Sequence, residues 1–234
     1  MTVGLAFALV AAQGRHAKRT IVRLPEAQSP AGVHGTGEPW RLVVVGDSVA
    51  AGVGLPHHGV SLAGMLAERF ASDREVRRTV IAETGLTAGG VRELVRDREE
   101  LARADAVVVS VGVNDTKALH SARRWERELD ELLGAVTAAA PRAIVVLLGV
   151  PAMDRFVRLP WVLRQVLGLR SRRLDTIGAQ VVSRHPRVRR MSMDFGGPDE
   201  GPELFASDGF HPSEALHAEF AARLHTMIVK DARP

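Results

Sequence analysis

The chain has 234 residues, 46% of them hydrophobic and 25% charged. That suits one α/β domain or two small ones around a substantial core and excludes disorder as the default. It contains no cysteine, so disulfides, thiolate metal sites and a cysteine nucleophile are all ruled out. The formal charge is only +4, and the 4% aromatic content includes no tyrosine. Few platforms therefore exist for stacking single-stranded bases, and no nucleic-acid partner is expected.

An apolar run from Thr2 to Ala12 is followed by Arg15, His16, Lys18, Arg19 and Arg23. It is shorter than the roughly 20 apolar residues of a membrane span. Its charges follow the apolar stretch, whereas a secretory signal places them before it. Two readings stand: a helix docked on the domain, or contact of residues 1–24 with an anionic membrane surface. The expected location is the cytoplasm, with peripheral membrane contact as the second option. Pro25 to Pro39, rich in Pro, Gly, Ala and Ser, reads as a linker, so that residues 1–39 precede a folded domain over 40–234.

From Trp40 onward, short β-branched runs alternate with longer helical patterns. Strands are predicted at Leu42–Val45, Thr79–Ala82, Ala106–Val111 and Ala143–Val150, with a weaker one at Val188–Met193. Helices are predicted at Ser61–Ser72, Ala88–Ala102, Ala122–Ala139, Val162–His185 and Pro212–Lys230. Continuous apolar strands such as Val107-Val108-Val109 indicate a sheet covered on both faces. The fold expected is a three-layer α/β/α sandwich with a mainly parallel, flavodoxin-like sheet. Asp154 to Arg190 holds ten arginines against two acids, read as a solvated helix face ahead of a surface for an anionic partner. Its first part, Met153 to Trp161, follows a strand end and could cover a site, and Met153–Arg173 as a whole mixes apolar residues with arginine. The Arg-rich, Lys-poor composition with abundant Ala and Val suggests a GC-rich bacterial source.

Open parallel sheets bind ligands at the carboxyl ends of their strands. Gly46-Asp47-Ser48 follows the first predicted strand, where a serine can expose its hydroxyl beside a helix N-terminus; a simple helix cap would look the same. Gly85 follows the second strand and lets backbone N–H approach a ligand. Gly112-Val113-Asn114-Asp115 closes the third, with an amide placed to donate to an oxyanion. Both could equally be ordinary turns. Before the last helix, Asp208 and His211 share one turn, where the carboxylate can fix the imidazole tautomer; half a metal site or a surface pair would read alike. No further cluster of ligands nearby supports a metal.

With these four elements in this order, the chain resembles the SGNH/GDSL hydrolases from about Arg41 to Val229. The resemblance implies that Ser48 attacks an acyl carbonyl, His211 takes its proton and Asp208 orients His211. It implies an oxyanion hole of the Ser48 N–H, the Gly85 N–H and the Asn114 amide. No metal or organic cofactor is called for. Two departures stand out: Ala82-Glu83-Thr84-Gly85 lacks the asparagine often found before that glycine, and Gly-Asp-Ser is followed by Val49 in place of leucine. The implied activity is serine esterase or lipase chemistry on a small-molecule or lipid ester, with a lean towards hydrophobic acyl groups. Sugar deacetylation, or a non-catalytic anion- or membrane-binding module, are the alternatives. His57 and His58 are expected in exposed loop positions, Asp47 and Asp115 as loop ties, and Trp125 and Trp161 as packing residues.

Overall fold

The computed structural model describes residues 2–20, 22–156, 158–195 and 202–231. Positions 1, 21, 157, 196–201 and 232–234, which fall within segments read above, lie outside them. The strands are β1 (Ala31–His34), β2 (Pro39–Gly46), β3 (Glu75–Ala82), β4 (Ala106–Ser110), β5 (Ile144–Leu148) and β6 (Val188–Met191). The helices are α1 (Thr2–Thr20), α2 (Leu62–Phe70), α3 (Ala88–Leu94), α4 (Glu99–Ala102), α5 (Val113–Lys117), α6 (Ala122–Ala139), α7 (Trp161–Val182) and α8 (Glu214–Asp231).

The strands form one sheet in the order β1-β3-β2-β4-β5-β6. Only the β1–β3 pairing is antiparallel. Without that edge strand the order is the flavodoxin-like one, and the winding reverses between β2 and β4, where such sheets place their ligands. Alternate residues of the central strands feed two cores. Val43, Val107 and Val145 join Trp125, Leu129 and Leu133 of α6 on one face. Leu42, Val108 and Val146 join Leu66 of α2 and Phe220 of α8 on the other. This is why the strands read as uninterrupted apolar runs: both faces are covered. α6 is amphipathic at helical spacing, burying Trp125, Leu129, Leu132, Leu133 and Val136, and the Ser121 side chain caps it by accepting from Arg124 N at 3.2 Å. α7 serves both cores, with Leu163 and Leu167 in one and Leu174 and Val181 in the other.

Several expectations need correction. The stretch read as a linker carries β1 and belongs to the sheet edge. Buried Arg78 of β3 holds it there, donating to the carbonyls of Ser29, Pro30 and Ala31 at 3.1, 3.0 and 3.3 Å. The single helix expected over 88–102 is two, because Asp97 adopts a left-handed φ of 58°, a conformation Asp tolerates but a helix does not. Residues 48–54 are consecutive turns, so no helix starts at Ser48; α2 begins only at Leu62. The arginine-rich stretch is not a bare solvated face. Arg172, Arg184 and Arg190 pair with Asp154, Glu126 and Asp175. Arg187 donates to the carbonyls of Thr137, Ala140 and Pro141 at the end of α6, where a cation suits the helix dipole. α1 docks on α7, the Gln13 side chain accepting from Leu163 N at 2.9 Å. Among the described residues, no helix is long and apolar enough to cross a membrane.

Candidate active site

The loop carrying Ser48 is built by Gly46. Its φ is 149°, and a Cβ there would lie 2.2 Å from the Ser110 carbonyl oxygen, so only glycine lets β2 end this close to β4. Asp47 N then donates to Ser110 O at 3.0 Å. Asp47 Oδ1 accepts from Ser110 Oγ at 2.9 Å and Val49 N at 3.2 Å. Asp47 is the loop tie expected. Burial pushes its carboxyl up to about 6, against the pull of the Ser110 and Val49 hydrogen bonds.

Asp208 and His211 lie just before α8. His211 Nδ1 meets Asp208 Oδ2 at 2.6 Å, while Asp208 Oδ1 accepts the backbone N–H of Phe210 at 2.9 Å and of His211 at 3.0 Å. Burial works to raise the Asp208 pKa, but the bond from the His211 ring and those two N–H groups outweigh it, and the carboxyl sits below its ordinary value. Phe210 anchors the loop among Phe156, Phe205 and Phe195, with Phe156 5.0 Å away between ring centroids. Ser48 and His211 border one cavity of about 30 Å³. No hydrogen bond joins their side chains among the described residues; such contacts often tighten only around bound substrate.

Gly85 follows β3 with a left-handed φ of 93°. Asn114 opens α5 just beyond β4 and is 7% exposed. Its Nδ2 donates to Leu86 O at 2.9 Å and its Oδ1 accepts from Lys117 Nζ at 3.1 Å. These two partners fix the amide orientation, and the Nδ2 group carries a second hydrogen besides the one given to Leu86 O. Among the described residues, none accepts from the backbone N–H of Ser48 or of Gly85. Gly85, Asn114, Lys117 and His211 line a larger apolar groove of about 680 Å³. Ser48, Gly85, Asn114 and His211 thus border one or other of two hollows that share His211 and Phe210, while Asp208 lines neither and sits behind the His211 ring.

Some site residues escaped the sequence reading. Lys117 lies three residues after Asn114, on a short helix that no apolar pattern announced. Glu26, in the stretch read as linker, accepts from Thr84 N at 2.8 Å and Thr84 Oγ1 at 2.6 Å, bracing the Gly85 loop across 58 positions. His58 is buried, not exposed, and its Nδ1 meets Ser61 Oγ at 3.1 Å. Trp125 packs fully, donating to Leu174 O at 2.8 Å, but Trp161 is 66% exposed and is not the packing residue expected. Among the described residues, Asp115, His120 and Glu128 have donor atoms close enough to share a metal. Asp115 accepts from Ala88 N at 3.2 Å and Glu128 from Arg124 at 2.7 Å, so the cluster also ties the start of α3 to α5 and α6, as expected of Asp115.

Among solved structures, the psychrotrophic esterase EstA from Pseudoalteromonas sp. superposes with a TM-score of 0.64 at 17% identity, over 83% of this chain and 99% of its own. The lipase/acylhydrolase from Enterococcus faecalis gives 0.63 at 19%, over 83% and 98%. A family two carbohydrate esterase from Clostridium thermocellum gives 0.61 at 17%, over 83% of this chain and 66% of its own. No curated protein sequence matches the chain. The model of the GDSL-like lipase/acylhydrolase family matches residues 44–219, from inside β2 into α8 and across all the residues above except Glu26. With three-quarters of its length inside that match, and with the strand-end residues assembled as described, the chain belongs to the GDSL-like lipase/acylhydrolase family and is an ester-hydrolysing enzyme.

Proposed function

We propose that the protein is a serine carboxylic-ester hydrolase that works through an acyl-enzyme on esters of hydrophobic acids. The observation that carries this reading is the His211–Asp208 pair, 2.6 Å apart, with the His211 ring bordering the same cavity as Ser48 at the reversal of the sheet. Ser48 Oγ attacks the acyl carbonyl while His211 Nε2 takes its proton. Asp208 holds the opposite ring nitrogen and stabilises the imidazolium. The developing oxyanion is met by the N–H groups of Ser48 and Gly85 and by Asn114 Nδ2. His211 passes the proton to the departing alcohol, and water, deprotonated by the same ring, then attacks the acyl-serine carbon and returns Ser48.

Sugar deacetylation is the competing use of this fold, and one carbohydrate esterase shares it. The apolar character of the 680 Å³ groove favours an acyl chain over a sugar. p-Nitrophenyl esters from acetyl to palmitoyl, assayed beside acetylated oligosaccharides, test the choice. Turnover of the aryl esters that vanishes in Ser48→Ala, with the fold intact by circular dichroism, is the expected result. Deacetylation alone would move the substrate class to carbohydrate, and equal turnover by Ser48→Ala would remove the nucleophile.

A further inference from the structure

The groove has an outer wall that the family match does not supply. Residues 44–219 provide most of its lining, Gly85, Asn114 and His211 included, but part of it comes from α1, which precedes the matched region. Val10, Ala11, Gly14 and Ala17 line it there, at the spacing that puts them on one helical face. Leu163, Val166 and Leu167 of α7 close the remaining side. The helix is seated: Ala17 is 6% exposed within the core, and Gln13 holds the first turn of α7. We propose that α1 is the outer wall of an acyl-chain site, so that the enzyme takes medium- to long-chain acyl esters and α1 sets the length it accepts. The proposal rests on the serine-hydrolase reading and adds the substrate class and the element that selects it.

Three observations converge. Gly85, Asn114 and His211 line the same groove as the α1 residues, so a chain lying in it can bring its carbonyl to the proposed oxyanion donors. Its volume of about 680 Å³ falls within the ~300–1,000 Å³ typical of small-molecule sites. Gly14 sits mid-helix, where glycine is less favourable than alanine, yet a Cβ built on it meets nothing within 4 Å; the space beside it is empty hollow, not a packing contact that demands glycine.

The test is a chain-length profile from acetyl to palmitoyl for the full chain, for Gly14→Trp, and for Val166→Trp on the facing wall. Calorimetric titration of laurate into Ser48→Ala, with and without Gly14→Trp, gives a binding readout free of turnover. Burial of successive methylenes should raise wild-type kcat/KM by up to about fourfold each over several carbons. Either tryptophan should cut activity on the longer esters at least tenfold while leaving acetyl ester turnover near wild type. Laurate should bind Ser48→Ala and fail to bind the double variant. A flat wild-type profile, or profiles unchanged by both tryptophans, would overturn the role of α1 while acetyl ester turnover kept the hydrolase reading alive. Loss of all turnover in wild type, with laurate still bound at the groove, would sink the hydrolase reading alone; no turnover and no binding would sink both.

Discussion

At the scale of single residues, the proposed mechanism turns on charge that develops on one oxygen and one ring. Asn114 is the side-chain donor of the proposed oxyanion hole, and its amide is polarised by Lys117 at 3.1 Å on Oδ1. Asn114→Ala should lower kcat by ~10²–10³-fold with little change in KM, the usual cost of losing one such donor. Lys117→Met leaves the amide in place but removes the cation that aligns it. Its expected cost is about tenfold in kcat, read from full Michaelis curves. Equal KM and kcat for Lys117→Met and wild type would show that the Leu86 carbonyl alone positions Asn114. The residues proposed to carry the chemistry were legible as candidates because each follows a strand or precedes a helix within a few residues of its own motif. Lys117 and Glu26 were not legible, since their roles depend on which loops meet in space.

At the scale of elements, the sheet was readable where strands are continuous and apolar and unreadable where they are short and polar. β1 is Ala-Gly-Val-His, lying between prolines and glycines, and nothing local marks it as a strand. It forms because Arg78, 47 or more positions away, satisfies the carbonyls of Ser29, Pro30 and Ala31 at and just before its start. Arg78→Met should therefore destabilise the protein by about 1–3 kcal/mol, the cost of unsatisfied buried acceptors, measured by urea denaturation. The effect should extend to the site, because Glu26, which braces the Gly85 loop, lies just before these carbonyls. An Arg78→Met protein as stable as wild type would mean that water replaces the guanidinium and that β1 is held by its ladder alone. α5 and the break at Asp97 escaped a periodicity reading for a simpler reason: a five-residue helix and one left-handed residue are below the window that periodicity needs.

At the scale of the whole molecule, buried titratable groups outside the proposed triad give stability a definite pH dependence. His217 of α8 is fully buried, accepts Leu62 N at 3.1 Å on Nδ1 and has its pKa lowered to about 4 by burial, with His58 and His211 adding to the shift. A histidine whose folded pKa lies below its unfolded one contributes stability that is present above about 6.5 and lost as pH falls towards 4. The loss should reach on the order of 3 kcal/mol. His217→Gln, which can still accept from Leu62 N, should flatten this acid limb in urea titrations at pH 7 and 4.5; an unchanged limb would assign it elsewhere. Asp47 works in the opposite sense. Its pKa is raised from 3.8 to about 6 by burial, so its contribution is full below the unfolded pKa and lost as pH rises through the folded one. Asp47→Asn should leave stability unchanged near pH 4 and increase it at pH 7.

The whole arrangement stands on Ser48 being the nucleophile. Incubation with a fluorophosphonate, followed by intact-mass and peptide mass spectrometry, tests this directly. The triad requires a single adduct on the peptide that carries Ser48, absent in Ser48→Ala and formed far more slowly in His211→Ala. A folded protein that hydrolyses esters yet carries no adduct, or carries it on another residue, would contradict it.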